Sequence, residues 1–189
     1  MTNPIWRATT ARLRLDPVGW GDLADLTALK TDPRAFALML GGVRTRERVA
    51  EELAEDITLW GRHGYGIWVV RGLNTGNFIG MAGLAARADG RGVALRFALW
   101  PEVRGAGLAR EAAGAALRYG HDRAGLNRIV AVSRADNFAS RTVLGAIGMI
   151  EAESFVRDNV PMLTYQSISP ACPAASAPPY RGDGAGSGG

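Results

Sequence analysis

Cysteine is nearly absent from the sequence. The 189 residues contain one cysteine, Cys172, and a single thiol cannot form an intrachain disulfide, so a disulfide-stabilised scaffold is excluded. Long apolar runs are also missing, because the run at 67–70 is far shorter than the ~20 residues of a membrane-spanning helix. The first ten residues lack the basic stretch and apolar core of a secretory signal. We therefore expect a cytoplasmic protein with no membrane partner.

Lysine and blocks of like charge are scarce as well. Lys30 is the only lysine, so arginine supplies almost all of the positive charge in a chain of formal net charge +4. No block of five or more like charges occurs, and we expect no nucleic-acid partner. Arginine is well suited to bind phosphate groups, so the charge is compatible with a small ligand that carries phosphate.

Apolar residues, by contrast, are plentiful. They make up 47% of the sequence and charged residues 21%, which excludes disorder throughout and allows one domain with a core of its own. Residues 170–189 differ, because they consist mainly of Pro, Ala, Ser and Gly. We predict one domain over residues 8–169, followed by a disordered tail over residues 170–189.

The spacing of apolar residues predicts strands and helices within the domain. Strands are expected at 12–15, 66–71, 78–85, 93–100 and 129–133, with two more within 151–169, and helices at 22–30, 46–62, 107–123 and 138–147. The turn residues at 74–77 indicate a hairpin between two of the strands. This order predicts an α/β (α+β) fold, with helices on both faces of a mixed, mostly antiparallel sheet of about seven strands.

The segment between strand 93–100 and helix 107–123 carries the strongest functional signal. Gly105 and Gly107 stand just before the helix, and glycine lets the backbone approach a ligand closely. The N-terminus of a helix adds N–H groups and the positive end of the helix dipole. The segment therefore predicts either a phosphate or pyrophosphate site or a simple tight turn. A Walker loop is excluded because no lysine is near, and a dinucleotide fingerprint because Arg110 replaces its third glycine.

This loop resembles the acetyl coenzyme A signature of the GNAT superfamily of N-acetyltransferases, R/Q-x-x-G-x-G/A. Here it reads Arg104-Gly105-Ala106-Gly107-Leu108-Ala109. The resemblance extends over residues 13–168 and is to the branch that acetylates ribosomal-protein N-termini, the ribosomal-protein-alanine N-acetyltransferases. Further similar segments are 13–15, 32–33, 41–42, 65–68 and 137–149. The resemblance implies the GNAT fold.

The resemblance also implies which residues bind acetyl coenzyme A, and it implies no metal. The backbone N–H groups of 104–109 would hold the pyrophosphate. The strand containing Phe97 and Leu99 would pair its main chain with the pantetheine arm. In this family that strand is bulged and separates from the next one. Asn137 matches the asparagine near the pantetheine and the thioester, although Asp136 and Asn137 also both suit the N-cap of the following helix.

The implied reaction is direct attack of a neutral amine on the acetyl thioester. Ser140 occupies the position of a serine proposed to protonate the departing thiolate, although a serine in a first helical turn also caps locally. No general base is evident. Relatives often have Glu-x-Gly-Tyr in the strand, where this chain has Ala94 and Arg96. Substitutes are a water molecule or one of three side chains, Glu151, Glu153 and His63, and the sequence does not rank them.

The missing carboxylate bears on the acceptor. A protein α-amine titrates near ~7.8 and a lysine near ~10.4, so without a base we expect a protein N-terminal α-amine or a small-molecule amine. The alternative is a non-catalytic module that binds acetyl coenzyme A, since Ala94 and Arg96 are compatible with lost turnover. Either a monomer or a homodimer fits the sequence.

Overall fold

Eight strands form one sheet in the computed structural model, which describes residues 4–87, 90 and 92–170. The strands are β1 (Ala8–Thr9), β2 (Leu13–Pro17), β3 (Ile67–Gly72), β4 (Phe78–Ala86), β5 (Val93–Leu99), β6 (Arg128–Arg134), β7 (Ile150–Arg157) and β8 (Val160–Ile168). Their order is β1-β2-β3-β4-β5-β6-β8-β7, and every neighbouring pair is antiparallel except β5 with β6. The predicted mixed, mostly antiparallel sheet is confirmed.

The sheet is one strand larger than predicted because of β1. This strand has two residues, which pair with Leu15 and Arg14 at the edge of the sheet. Two residues are too few to show the alternation that identifies a strand in a sequence. Cys172 and most of the predicted tail lie outside the described residues, and the domain bounds 8–169 stay a prediction.

In the described part of the chain, five α-helices flank the sheet: α1 (Leu23–Thr31), α2 (Pro33–Phe36), α3 (Arg46–His63), α4 (Leu108–Asp122) and α5 (Phe138–Ala146). The sequence did not predict α2, since Asp32 and Pro33 indicated only the end of α1. The Asp32 carboxylate accepts a hydrogen bond from the Arg34 N–H at 2.8 Å, and proline is well placed at the first position of a helix. Within the described ranges, no helix is long and apolar enough to cross a membrane.

Helices α3 and α4 cover opposite faces of the sheet. Val49, Leu53 and Trp60 of α3 are buried, and the Trp60 indole donates to the Ile67 carbonyl at 2.8 Å. On the other face α4 approaches closely at Gly120, where a Cβ atom would lie 2.7 Å from a methyl carbon of Leu84. Residues that pair across neighbouring strands point to the same face of the sheet, so the pairing determines whether a side chain faces α3 or α4.

Candidate active site

Strands β5 and β6 diverge soon after they meet. They pair only at Val93 with Ile129 and at Ala94 with Val130, so the edge of β5 from residue 95 onward has no ladder partner in β6. On its other edge β5 pairs with β4 residue for residue, from Val93 to Leu99. The bulge that the family resemblance implied for β5 is therefore absent from its pairing with β4, whereas the implied separation from β6 is present.

The divergence opens a cavity of about 580 Å³, which we call the wedge. Its walls come from both strands, from the segment after α2 and from α5, and they include Ala94, Leu95, Arg96, Phe97, Ala131, Val132, Ser133, Asn137 and Ser140. A site of this volume accommodates an extended organic chain. Three of the predicted site residues, Phe97, Asn137 and Ser140, thus lie together.

Asn137 and Ser140 are joined by the cap of α5. The side-chain oxygen of Asn137 accepts a hydrogen bond from the Ser140 N–H at 3.2 Å, so the N-cap interpretation of Asn137 is correct. Both residues are half-buried on the wall of the wedge. The cap fixes the first turn of α5 and with it the position of the Ser140 side chain.

The glycine-containing loop lies beyond the end of β5 towards which the wedge opens. Gly105 and Gly107 have φ values of +80° and +74°, a conformation that other residues adopt only at a cost. Within the described residues, the backbone N–H groups from Gly105 to Arg110 donate to no acceptor, whereas that of Arg104 donates to Pro101. Gly107 is the N-cap of α4 and has no side chain to satisfy these groups. The loop thus presents several N–H donors to an anion.

A cluster of hydrogen bonds anchors the glycine-containing loop and the first turn of α4 to the turn between β1 and β2. The Glu111 carboxylate accepts bonds from the Thr10 hydroxyl at 2.6 Å and from the Arg12 backbone N–H at 2.9 Å. The Arg12 guanidinium donates to Glu111 at 2.7 Å and to the Ala106 carbonyl at 2.8 Å. Burial alone would raise the pKa of Glu111, but these bonds outweigh it and lower the pKa. The ionised carboxylate therefore holds the loop in place.

Arg104, the first residue of the signature, contacts helix α2. Its guanidinium donates to the Arg34 carbonyl at 3.1 Å, and the Arg34 guanidinium pairs with Glu102 at 2.8 Å. These contacts connect α2 to the start of the loop. Arg104 thus fixes the position of the loop relative to α2.

A second cavity of about 700 Å³ adjoins the wedge, and we call it the side cavity. Four residues line both cavities: Met39, Arg44, Arg87 and Arg96. The side cavity lies between α3 and the face of the sheet that carries Ile67, Met81 and Ala85. Arg96 is paired with Gly83, which is paired with Ile67, so its side chain belongs to the same face.

Asp56 of α3 lines the side cavity and is 8% exposed. Burial raises its pKa to about 6, although the charges of Lys30 and Arg96 oppose that increase. Sequence reasoning missed Asp56. The sequence feature that indicates it is a charged residue at helical spacing within the apolar stripe that contains Leu53 and Trp60.

The base candidates from the sequence lie elsewhere. Glu151 and Glu153 are exposed on β7, and Glu151 accepts a hydrogen bond from the Tyr165 hydroxyl at 3.2 Å. His63 is exposed at the end of α3 and stacks on Tyr65. None of the three lines either cavity. In the part of the chain that the structure describes, no group of three or more His, Cys, Asp or Glu side chains could hold a metal ion.

The comparisons with known proteins agree with this geometry. The family model for the acetyltransferase (GNAT) domain matches residues 12–150. This chain belongs to the GNAT acetyltransferase family. The resemblance inferred from the loop is thereby confirmed at the level of the family, and the ribosomal-protein branch stays a prediction.

Individual relatives of this GNAT chain differ in what their names describe. The FsC-acetyl coenzyme A-N(2)-transacetylase of Aspergillus fumigatus is 28% identical over an alignment of 162 residues, and the match covers 77% of this chain and 66% of that relative. Spermidine N-acetyltransferase from Vibrio cholerae, solved with CoA and spermine, is 18% identical at a TM-score of 0.72, covering 85% of the chain and 97% of that structure. The ribosomal L7/L12 alpha-N-protein acetyltransferase RimL, solved with coenzyme A, is 16% identical at a TM-score of 0.70, covering 86% and 97%. At these identities the two structures show the shared fold.

Proposed function

We propose that this GNAT domain transfers the acetyl group of acetyl coenzyme A to a primary amine, either a protein N-terminal α-amine or a small-molecule amine. The observation that carries the proposal is the combination of two features at one end of β5. One is the divergence of β5 from β6, and the other is the run of unbonded N–H groups from Gly105 to Arg110.

These two features fit the two chemically different parts of coenzyme A. The N–H groups of the loop and the positive end of the α4 dipole would hold the pyrophosphate. The unpaired edge of β5, which includes Phe97 and Leu99, would pair with the amides of the pantetheine arm as an added strand does. When bound, acetyl coenzyme A supplies the activated acetyl group.

The chain's own residues would assist the transfer within the wedge. Backbone N–H groups on the open edge of β5 would stabilise the oxyanion that forms when the amine attacks the thioester. The Ser140 hydroxyl would give a proton to the departing thiolate. A thiol with a pKa near ~8.5 is already a fair leaving group, so this help accelerates the reaction without being indispensable.

The names of the relatives support an amine acceptor without choosing one. They mention spermidine, a protein α-amine and an N(2) position. A panel of amines, with the acetylated product identified by mass spectrometry, would name the acceptor class. Thermal stabilisation by acetyl coenzyme A with no thiol release for any amine would instead favour the non-catalytic module.

The binding half of the proposal is tested by Gly107→Val, with coenzyme A affinity measured by calorimetry. We expect at least a tenfold loss, because valine strains the left-handed backbone and disturbs the N–H groups beside it. Gly125→Val is the matched control, since Gly125 also has a positive φ, +65°, but lies in the turn after α4. Equal affinities for the two variants would refute the proposed pyrophosphate site.

A further inference from the structure

Asp56 is a largely buried carboxylate that accepts no hydrogen bond from any residue that the structure describes. Within the described residues its one ion-pair partner is Lys30, whose Nζ lies 4.0 Å from Oδ2 and donates instead to Glu52 at 2.8 Å. No fully enclosed side-chain oxygen in the described ranges lacks a partner, so the unbonded oxygens of Asp56 are open to the side cavity. A carboxylate that is largely buried but open to a cavity takes its hydrogen bonds from water or from a bound ligand.

The position of Asp56 indicates which ligand would donate hydrogen bonds to its carboxylate. The side cavity meets the wedge at Arg96, which is adjacent to Phe97 on the open edge of β5. An acceptor that enters the side cavity would therefore approach the acetyl group from the face of the sheet that α3 covers. A primary amine arrives largely as an ammonium ion, which supplies three donors and a positive charge.

We propose that the side cavity is the acceptor site and that the Asp56 carboxylate binds the ammonium group of the acceptor and takes its proton. The inference deepens the proposed acetyl transfer and rests on it. The proton moves from the ammonium nitrogen to an Asp56 oxygen, and the freed lone pair forms the C–N bond of the amide. The C–S bond breaks, the thiolate leaves and takes the proton of the Ser140 hydroxyl, and the second proton that the nitrogen loses restores that hydroxyl.

Among the described residues three carboxylates line the side cavity: Glu52 and Glu55 accept hydrogen bonds from cationic side chains, whereas Asp56 accepts none and is the one left for an ammonium group. Lys30 from α1 and Arg96 from β5 favour the ionised carboxylate, whereas burial and the nearby Glu52 and Glu55 favour the protonated form. The other charged side chains that line the side cavity are Arg44, Arg48, Arg62 and Arg87. With a pKa of about 6 the carboxylate is ionised at neutral pH, and proton transfer is uphill by about two pKa units from an α-amine and about four from a lysine. The site therefore still favours an amine of low pKa.

The test compares wild type, Asp56→Asn and Asp56→Ala with Glu51→Gln as the matched control. Glu51 is an exposed carboxylate on the same helix and lines neither cavity. Thiol release from acetyl coenzyme A is measured from pH 5 to 9 with alaninamide and spermidine as probe amines. We expect both Asp56 variants to lose about 10²-fold or more in kcat/KM at neutral pH and to lose the activity limb near pH 6, with coenzyme A affinity unchanged. Activity within threefold of wild type and the same pH profile would overturn the assignment.

A binding measurement separates this inference from the proposed function. Wild type that binds coenzyme A but releases no thiol with either probe would argue against acetyl transfer to these amines. Calorimetric titration of the coenzyme A complex with alaninamide would then decide the role of Asp56. We expect binding by wild type and Glu51→Gln, and at least tenfold weaker binding by both Asp56 variants. Equal binding by all four proteins, or none by wild type, would overturn the acceptor site.

Discussion

Replacing Asp56 by asparagine makes the stability of the protein less sensitive to pH. Burial raises the pKa of Asp56 from 3.8 to about 6 in the folded protein. Because the folded pKa exceeds the unfolded one, the stability that this group contributes is complete below pH 3.8 and is lost as the pH rises through about 6. The full loss is about 3 kcal/mol, of which about 2 kcal/mol falls between pH 4.5 and 8.

The assay is urea unfolding of wild type and Asp56→Asn at pH 4.5 and at pH 8. Asparagine cannot ionise, so the free energy of unfolding of the variant, relative to wild type, should increase by about 2 kcal/mol from the lower to the higher pH. Glu51→Gln controls for removal of a carboxylate from α3, and its difference from wild type should change little, because Glu51 is exposed. A constant difference between Asp56→Asn and wild type would refute the reasoning, since it would mean that the carboxylate is not desolvated in the fold.

Two further predictions concern the packing of the sheet and the anchor of the loop. Gly83→Ala should destabilise the fold by about 1–3 kcal/mol, because its Cβ would lie 2.3 Å from the Gly66 carbonyl oxygen, whereas Gly145→Ala, in open space on α5, should stabilise it by about 0.5–1 kcal/mol. Thermal unfolding of both variants checks this, and shifts of equal sign would contradict it. Glu111→Gln should cost about 1–3 kcal/mol in urea unfolding at pH 7 through weakened bonds from Thr10 and Arg12. The pKa of Glu111 is lowered in the fold, so the stability that its ionised carboxylate contributes is lost as the pH falls below 4.5. If Glu111→Gln still destabilised the protein equally at acidic pH, the charge of Glu111 would not be the source of the stabilisation.

The elements of the fold were predictable wherever an apolar pattern continues over several turns or several strand residues. Helix α3 is an example, because its stripe and its N-cap residue Thr45 are both local properties of the sequence. The two elements that were missed, β1 and α2, are two and four residues long and depend on partners elsewhere in the chain or on capping. Short elements of this kind leave no periodicity to detect.

The candidate site was predictable only where a motif and the site coincide. The glycine loop, Asn137 and Ser140 are each placed by local sequence, and Asn137 takes the N-cap position that residues of its type favour. Asp56 could not be found in the same way, because its importance depends on burial between α3 and the sheet and on Lys30, which is 26 residues away in the sequence. The ion pair between Lys30 and Asp56 forms only in the tertiary structure, so no local sequence pattern predicts it.

The burial of Lys30 limits how the surface of the folded domain reacts with acylating compounds. Lys30 is the only lysine in these 189 residues, it is 2% exposed, and its Nζ donates to Glu52. The folded domain therefore presents no ε-amine to the solvent. Activated acyl compounds, whether metabolic thioesters or the ester reagents used to attach dyes and resins, have no lysine on this surface to modify until the domain unfolds.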